Sequence, residues 1–237
     1  MLPLNRSGLI CACVLALGSS CMSEDGNGLI ATQERSVAAF SRIEVQGGLQ
    51  VTISQGPRRV TVTTDENLSS FYVTDVDGQT LKINETSNRL RPTGTVFVEV
   101  FTERLERLEV KNGAQVSADA TQPDEFRLIV KDNSIVSVSR MRTQKMVVEA
   151  SGESRVDARG DVTELRIESR SRSAINTAGL DAIEVKVDAS GQSLVNVSAR
   201  SSIEVDASGD SVVNISGNPG SRNINSDSGS QVVFINE

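Results

Sequence analysis

Between Leu105 and the C-terminus the chain writes one pattern seven times, at intervals of about 18–20 residues, a period at which stacked coils are the usual architecture. A first aliphatic column reads Val110, Val130, Val148, Ile167, Val187, Val205 and Ile224; after a polar turn a second reads Val116, Val136, Val156, Ile175, Val195, Val213 and Val232. Many of these strands carry a further apolar residue two positions away: Leu108, Leu128, Met146, Leu165, Val185 and Ile203 before the first column, and Val138, Val197, Ile215 and Phe234 after the second. That spacing places both residues on one face of an extended strand. A single coil buries about four aliphatic side chains, too few to offset the entropy of ordering it, so coils are stable only when stacked. Strands of a β-sandwich would reverse direction at each turn and leave like residues no reason to align. The sequence therefore predicts an all-β chain, a single-stranded parallel β-helix (β-solenoid) of about seven regular coils, preceded by about three irregular ones.

The turns repeat as well. Asp188–Ser193 (DASGQS) and Asp206–Ser211 (DASGDS) are near copies, Glu149–Ser154 (EASGES) is a third, and Asp227-Ser228-Gly229-Ser230 echoes them. Glycine there supplies a left-handed backbone position, and Asn133 takes its place in an earlier coil, as asparagine does most readily. In the first two coils the corner reads as two residues shorter. After the second column come Ser117, Ser137, Asp157, Asn176, Asn196 and Asn214. The three asparagines are expected either to form an amide ladder along the stack or to be outward polar residues on a solvated face, and they are the candidate binding face.

The N-terminus has the form of a targeting segment. Arg6 precedes a ten-residue apolar run, residues 8–17, and small residues 18–20 lead to Cys21. The run is too short for a permanent membrane span. Residues 1–20 resemble a bacterial lipoprotein signal, with Gly18 where leucine is preferred; the resemblance implies acylation of Cys21 and a membrane partner reached through that anchor. Met22 at the next position implies, by the sorting rule of Gram-negative bacteria, the outer membrane; an ordinary secretory cleavage would leave a periplasmic or secreted chain. Residues 21–39 are expected to be the acylated cysteine and a polar tether, with one domain over 40–237. No cysteine follows residue 21, so the domain has no disulfide.

From Phe40 to Arg104 the pattern loosens. Ile43, Val45, Leu49, Val51 and Ile53 resemble a coil around Gly47-Gly48, and Val60 with Val62, Leu81 with Ile83, and Val96 through Val100 mark further strands.

Composition narrows the function. The full chain has 24 basic and 31 acidic residues and no histidine; an acidic rod repels phosphate and is a poor partner for nucleic acid. Absence of histidine removes the commonest general base and metal ligand, and no catalytic residue or cofactor is expected. Glu149, Glu168, Asp188 and Asp206 should stack as an acidic column, but Arg166 and Lys186 lie two residues before two of them and can pair diagonally. A compensated surface is expected there in preference to a calcium site.

Phe40–Val51 (FSRIEVQGGLQV), with the Ser-Gly-x-Ser corners at Ser151, Ser190 and Ser208, resembles the putative auto-transporter adhesin head GIN domain family of bacterial envelope proteins. The resemblance covers about Phe40 to Glu237 and implies a right-handed parallel β-helix in a secreted or lipid-anchored protein; it carries no catalytic motif. Ser169–Ser173 (SRSRS) departs from it by lacking the corner glycine. The function expected is a non-catalytic envelope module contacting a surface polysaccharide or envelope protein. A polysaccharide lyase or hydrolase, and a structural envelope scaffold, are the alternatives.

Overall fold

The computed structural model describes residues 23–87, 89–119 and 122–235; the leader and Cys21 lie outside them. Within the described residues the chain is a parallel β-solenoid, and its one helical element is the 3-10 segment Glu66–Phe71. One long face stacks Arg107–Lys111, Glu125–Val130, the last third of the long strands Ile135–Ala150, Arg155–Ser169 and Ala174–Ala189, then Ser202–Ala207 and Ser221–Ser226. A second face stacks Gln115–Asp119, the first third of the same long strands, then Leu194–Ser198, Val212–Ser216 and Gln231–Phe234. The middle of the long strands makes a short third face, where Met141, Gly160 and Leu180 are register neighbours.

The second aliphatic column is in register along its whole length, Val116 through Val232. The first column is not as the sequence predicts. Leu128 pairs with Val148, and Val130 with Ala150. Val110 and Val130 are therefore continued by Ala150, Ser169, Ala189 and Ala207, while Val148, Ile167, Val187 and Val205 continue Leu108 and Leu128. Met146, Leu165, Val185 and Ile203 stack on Phe126. A slip of two residues leaves every side chain on its own face, so alternation alone cannot reveal it.

The corrected register also equalises the corners, because the step from Val110 to Val116 is the same as that from Ala150 to Val156 or Ala189 to Val195. One backbone solution is used throughout: two consecutive left-handed residues, as in Asn112-Gly113, Asp132-Asn133, Gly152-Glu153, Ser171-Arg172, Gly191-Gln192 and Gly209-Asp210. Each non-glycine residue held there costs about 1–2 kcal/mol. Two sets of hydrogen bonds offset this. The amides of Gly113, Asn133, Glu153, Arg172 and Gln192 each donate to a carbonyl of the next corner, at 2.7–3.1 Å. Inside the bend, the buried hydroxyls of Ser154, Ser173, Ser193 and Ser211 donate to the carbonyls of Val130, Ala150, Ser169 and Ala189 at 2.9–3.1 Å. The last serine of Ser-Gly-x-Ser is thus an interior hydrogen-bond donor.

Of the looser N-terminal region, expected as about three coils, two layers join the stack, and not in chain order. Arg42–Gln46 and Gln50–Gln55 lie between Arg107–Lys111 and Gln115–Asp119 on one side and Thr80–Glu85 and Phe97–Thr102 on the other. The remaining strands close the end with antiparallel pairs: Tyr72–Asp77 on Thr80–Glu85, Arg59–Asp65 on Phe97–Thr102, and Ile30–Arg35 on Arg59–Asp65. Residues 24–35, expected as part of a tether, are instead bonded to this end. Glu24–Asp25 pairs with Leu90–Arg91. The buried Asp65 carboxylate accepts from Gly28 N (2.7 Å), Thr93 N (2.9 Å) and Thr93 Oγ1 (2.8 Å). Burial alone would raise its pKa, but these donors outweigh burial and hold the carboxyl below the usual aspartate value.

Candidate functional site

Alternate residues of most stacked strands face outward, so the solenoid presents side-chain columns whose members sit about 4.8 Å apart. On the second face Ser117, Ser137, Asp157, Asn176, Asn196 and Asn214 occupy consecutive layers. The three asparagines are half-buried. Asn214 Nδ2 donates to Asn196 Oδ1 at 2.8 Å, and Asn176 Nδ2 to Asp157 Oδ2 at 2.7 Å. Both bonds run along the stack; one joins two amides and the other an amide to a carboxylate.

On the first face Glu149, Glu168, Asp188 and Asp206 do occupy successive layers. Arg166 pairs with Glu168 at 3.0 Å as expected, whereas Lys186 reaches Glu204 in the next layer at 2.5 Å and not Asp188. The cross-layer partner lies directly opposite in register. No group of three or more potential metal ligands occurs among the described residues.

Sequence reasoning did not single out the residues beside that acidic column. Arg42, Arg107 and Arg127 are register neighbours in three consecutive layers; one layer further the column continues with Val147, and Lys145 lies beside it, opposite Glu125. Arg104, Glu106 and Asp124 complete the walls of a groove of about 530 Å³. Arg107 holds Glu109 at 2.9 Å, Arg127 holds Glu149, and Arg104 spans Glu106 (3.0 Å) and Asp124 (3.2 Å). Burial would raise the Glu109 carboxyl, but Arg107, Lys111 and Lys131 together lower it. Arg42 and Lys145 have no ion pair among the described residues. The signal available in sequence was the recurrence of Arg immediately before the inner aliphatic residue, in Arg107-Leu108 and Arg127-Leu128, matched by Arg42-Ile43.

Stacked coils with outward charged and amide-bearing columns define a β-solenoid. The chain belongs to the family described as putative auto-transporter adhesin, head GIN domain, whose profile matches residues 39–219. No curated protein matches the sequence. Among solved structures it is similar to a putative adhesin from Bacteroides fragilis (TM-score 0.84, 16% identity, covering 89% of this chain and 99% of that one). It is similar also to a putative adhesin from Parabacteroides merdae (TM-score 0.67, 16% identity, 90% and 100% covered). A third is a putative lipid binding protein from Parabacteroides distasonis (TM-score 0.68, 18% identity, 88% and 98% covered). At these identities the likeness concerns the fold. Among the described residues no helix is long and apolar enough to cross a membrane.

Proposed function

We propose that this protein is a non-catalytic, adhesin-like module of the bacterial envelope, held at the outer membrane through an acylated Cys21, that binds a surface polysaccharide or envelope protein along the flank of its solenoid. Membership of the adhesin-head family supports the reading. The observation that carries it is the continuity of outward polar columns over successive layers, which offers a partner an extended face. Its determinants are then distributed, so single changes weaken binding by small amounts and combined changes by much more.

The competing reading, a polysaccharide lyase or hydrolase, has one feature in its favour, the carboxylates beside arginines in the groove. Glu106 and Asp124 are both paired with Arg104, whereas Glu125 in the same groove has no ion pair among the described residues, so turnover is the measurement that separates the two readings. The test combines three measurements on the full chain. Intact mass of the membrane fraction should show acyl chains on Cys21, and Cys21→Ser should release the protein to the soluble fraction. Whole cells should bind it without turnover of polysaccharide. Product formation abolished by one carboxylate substitution would replace the binding module with an enzyme.

A further inference from the structure

The groove on the first face is the part of the molecule whose charge is least explained by the fold. The chain as a whole carries a net charge of −7, yet this groove gathers Arg42, Arg104, Arg107, Arg127 and Lys145 against three carboxylates. Three of the five form the column Arg42, Arg107 and Arg127. Like charges set one strand spacing apart repel each other, and the neighbouring carboxylates compensate only part of the column. Glu109 and Glu149 hold Arg107 and Arg127, while Glu44, beside Arg42 on its own strand, is taken by Lys111 at 2.6 Å. Arg42 therefore stands at one end of the run without an ion pair among the described residues. Lys145 stands so at the other end. A guanidinium carries five N–H donors, so Arg107 and Arg127 keep donors free after binding one carboxylate each.

We infer that this groove binds an acidic polysaccharide bearing a carboxylate on successive sugar residues, a polyuronate; the inference rests on the surface-binding reading above and names its ligand. Four observations select that chemistry. Arg42, Arg107 and Arg127 form a line of roughly 10 Å over three consecutive layers, with a step comparable to one extended sugar residue, and Lys145 lies one layer further on, two residues to the side of that line. The arginine fork matches a carboxylate in bidentate fashion. Glu106, Asp124 and Glu125 alternate with the cations and can accept hydrogen bonds from sugar hydroxyls, whereas a dense polyphosphate would be repelled by them. The site is a groove and not a plane, so a polymer enters it and a flat bilayer does not.

The test uses the full chain in detergent, with polygalacturonate as probe and its fully methyl-esterified form as the neutral counterpart, measured by titration calorimetry. Polygalacturonate should bind and the ester should bind at least tenfold more weakly. The double variant Arg42→Ala/Lys145→Ala removes cations that leave no carboxylate unpaired, so it should fold with an unchanged melting profile and lose at least tenfold in affinity. Arg200→Ala, at the Asp181 pair outside the groove, should bind as the parent does. Equal binding of acid and ester, no binding at all, full affinity in the double variant, or preference for anionic vesicles over polygalacturonate would each overturn the inference. Binding to whole cells that survives such a failure leaves the surface-binding module intact and moves its site elsewhere; turnover of polygalacturonate would instead keep the groove and overturn the non-catalytic reading.

Discussion

The coils after residue 105 and the end built from residues 24–102 solve different problems with the same strands. In the coils each layer covers the next, so one corner, one buried serine and a few aliphatic columns are reused. At the N-terminal end no further coil lies beyond the last layer among the described residues, and that end is closed by antiparallel strands, a 3-10 turn and a buried aspartate, each used once. Repetition suffices where a neighbour is guaranteed. An end requires particular polar chemistry, because exposed strand edges invite pairing with other chains.

Five substitutions probe the two regions. The largest effect is expected inside the coils: Val187→Asp places a charge in a fully buried column and should destabilise by about 3–5 kcal/mol. Gln192→Asp, at a left-handed and exposed corner position, should be nearly neutral, because aspartate tolerates that geometry. Equal shifts of the two in denaturant unfolding would break the assignment of inside and corner.

Asp65→Ala should act on the end and spare the coils. Hydrogen exchange at Gly28 and Thr93 should accelerate while the amides of residues 184–216 keep their protection. Acid should do the same to the unmutated protein. Asp65 has a lowered pKa in the folded state, so its contribution is complete above the unfolded aspartate value near ~3.9 and is lost as pH falls from there through the lower folded value. Loss of protection in the coils at the same pH would show that end and coils unfold as one unit.

Asn196→Ala removes the acceptor of Asn214 and should cost about 1 kcal/mol, measured as a lowered denaturation midpoint at unchanged slope. The smallest effect is a gain. Ser171 occupies the left-handed position that Gly152, Gly191 and Gly209 hold in other coils, so Ser171→Gly should stabilise by up to about 1 kcal/mol, less the entropy that glycine adds to the unfolded chain. A loss of stability would mean that the SRSRS corner is held by interactions the other corners lack.

What the sequence disclosed follows the same division. The second aliphatic column, the glycine corners and the Asn176–Asn196–Asn214 alignment were legible because identical residues recur at identical places. The first column slipped by two at Val148, since Ala150 and Ser169 look less like core residues than Val148 and Ile167 do. Small interior residues weaken a hydrophobic pattern without leaving the interior. The pairing of Lys186 with Glu204 was missed because both cross-strand and diagonal partners are within reach of a lysine. The groove escaped notice because Arg42 comes from a layer separated in sequence from Arg107 by the strands between residues 50 and 102, and periodicity says nothing about which layer a non-repeating segment joins.

That layer order bears on how the protein comes into being. The 42–55 strands lie between two layers that both follow them in the chain, so they cannot be buried on either side when they are first made. At about 5–20 residues per second, several seconds separate their synthesis from that of the 107–119 strands. Entropy is a minor obstacle, because closing the longer loop adds little. Timing is the larger one: the strands that end up in the interior of the stack wait longest with both edges bare, while the later coils can each add to a finished predecessor. For this chain the strands with the longest wait between synthesis and enclosure are 42–55, and a chaperone that shields extended apolar strands would act there.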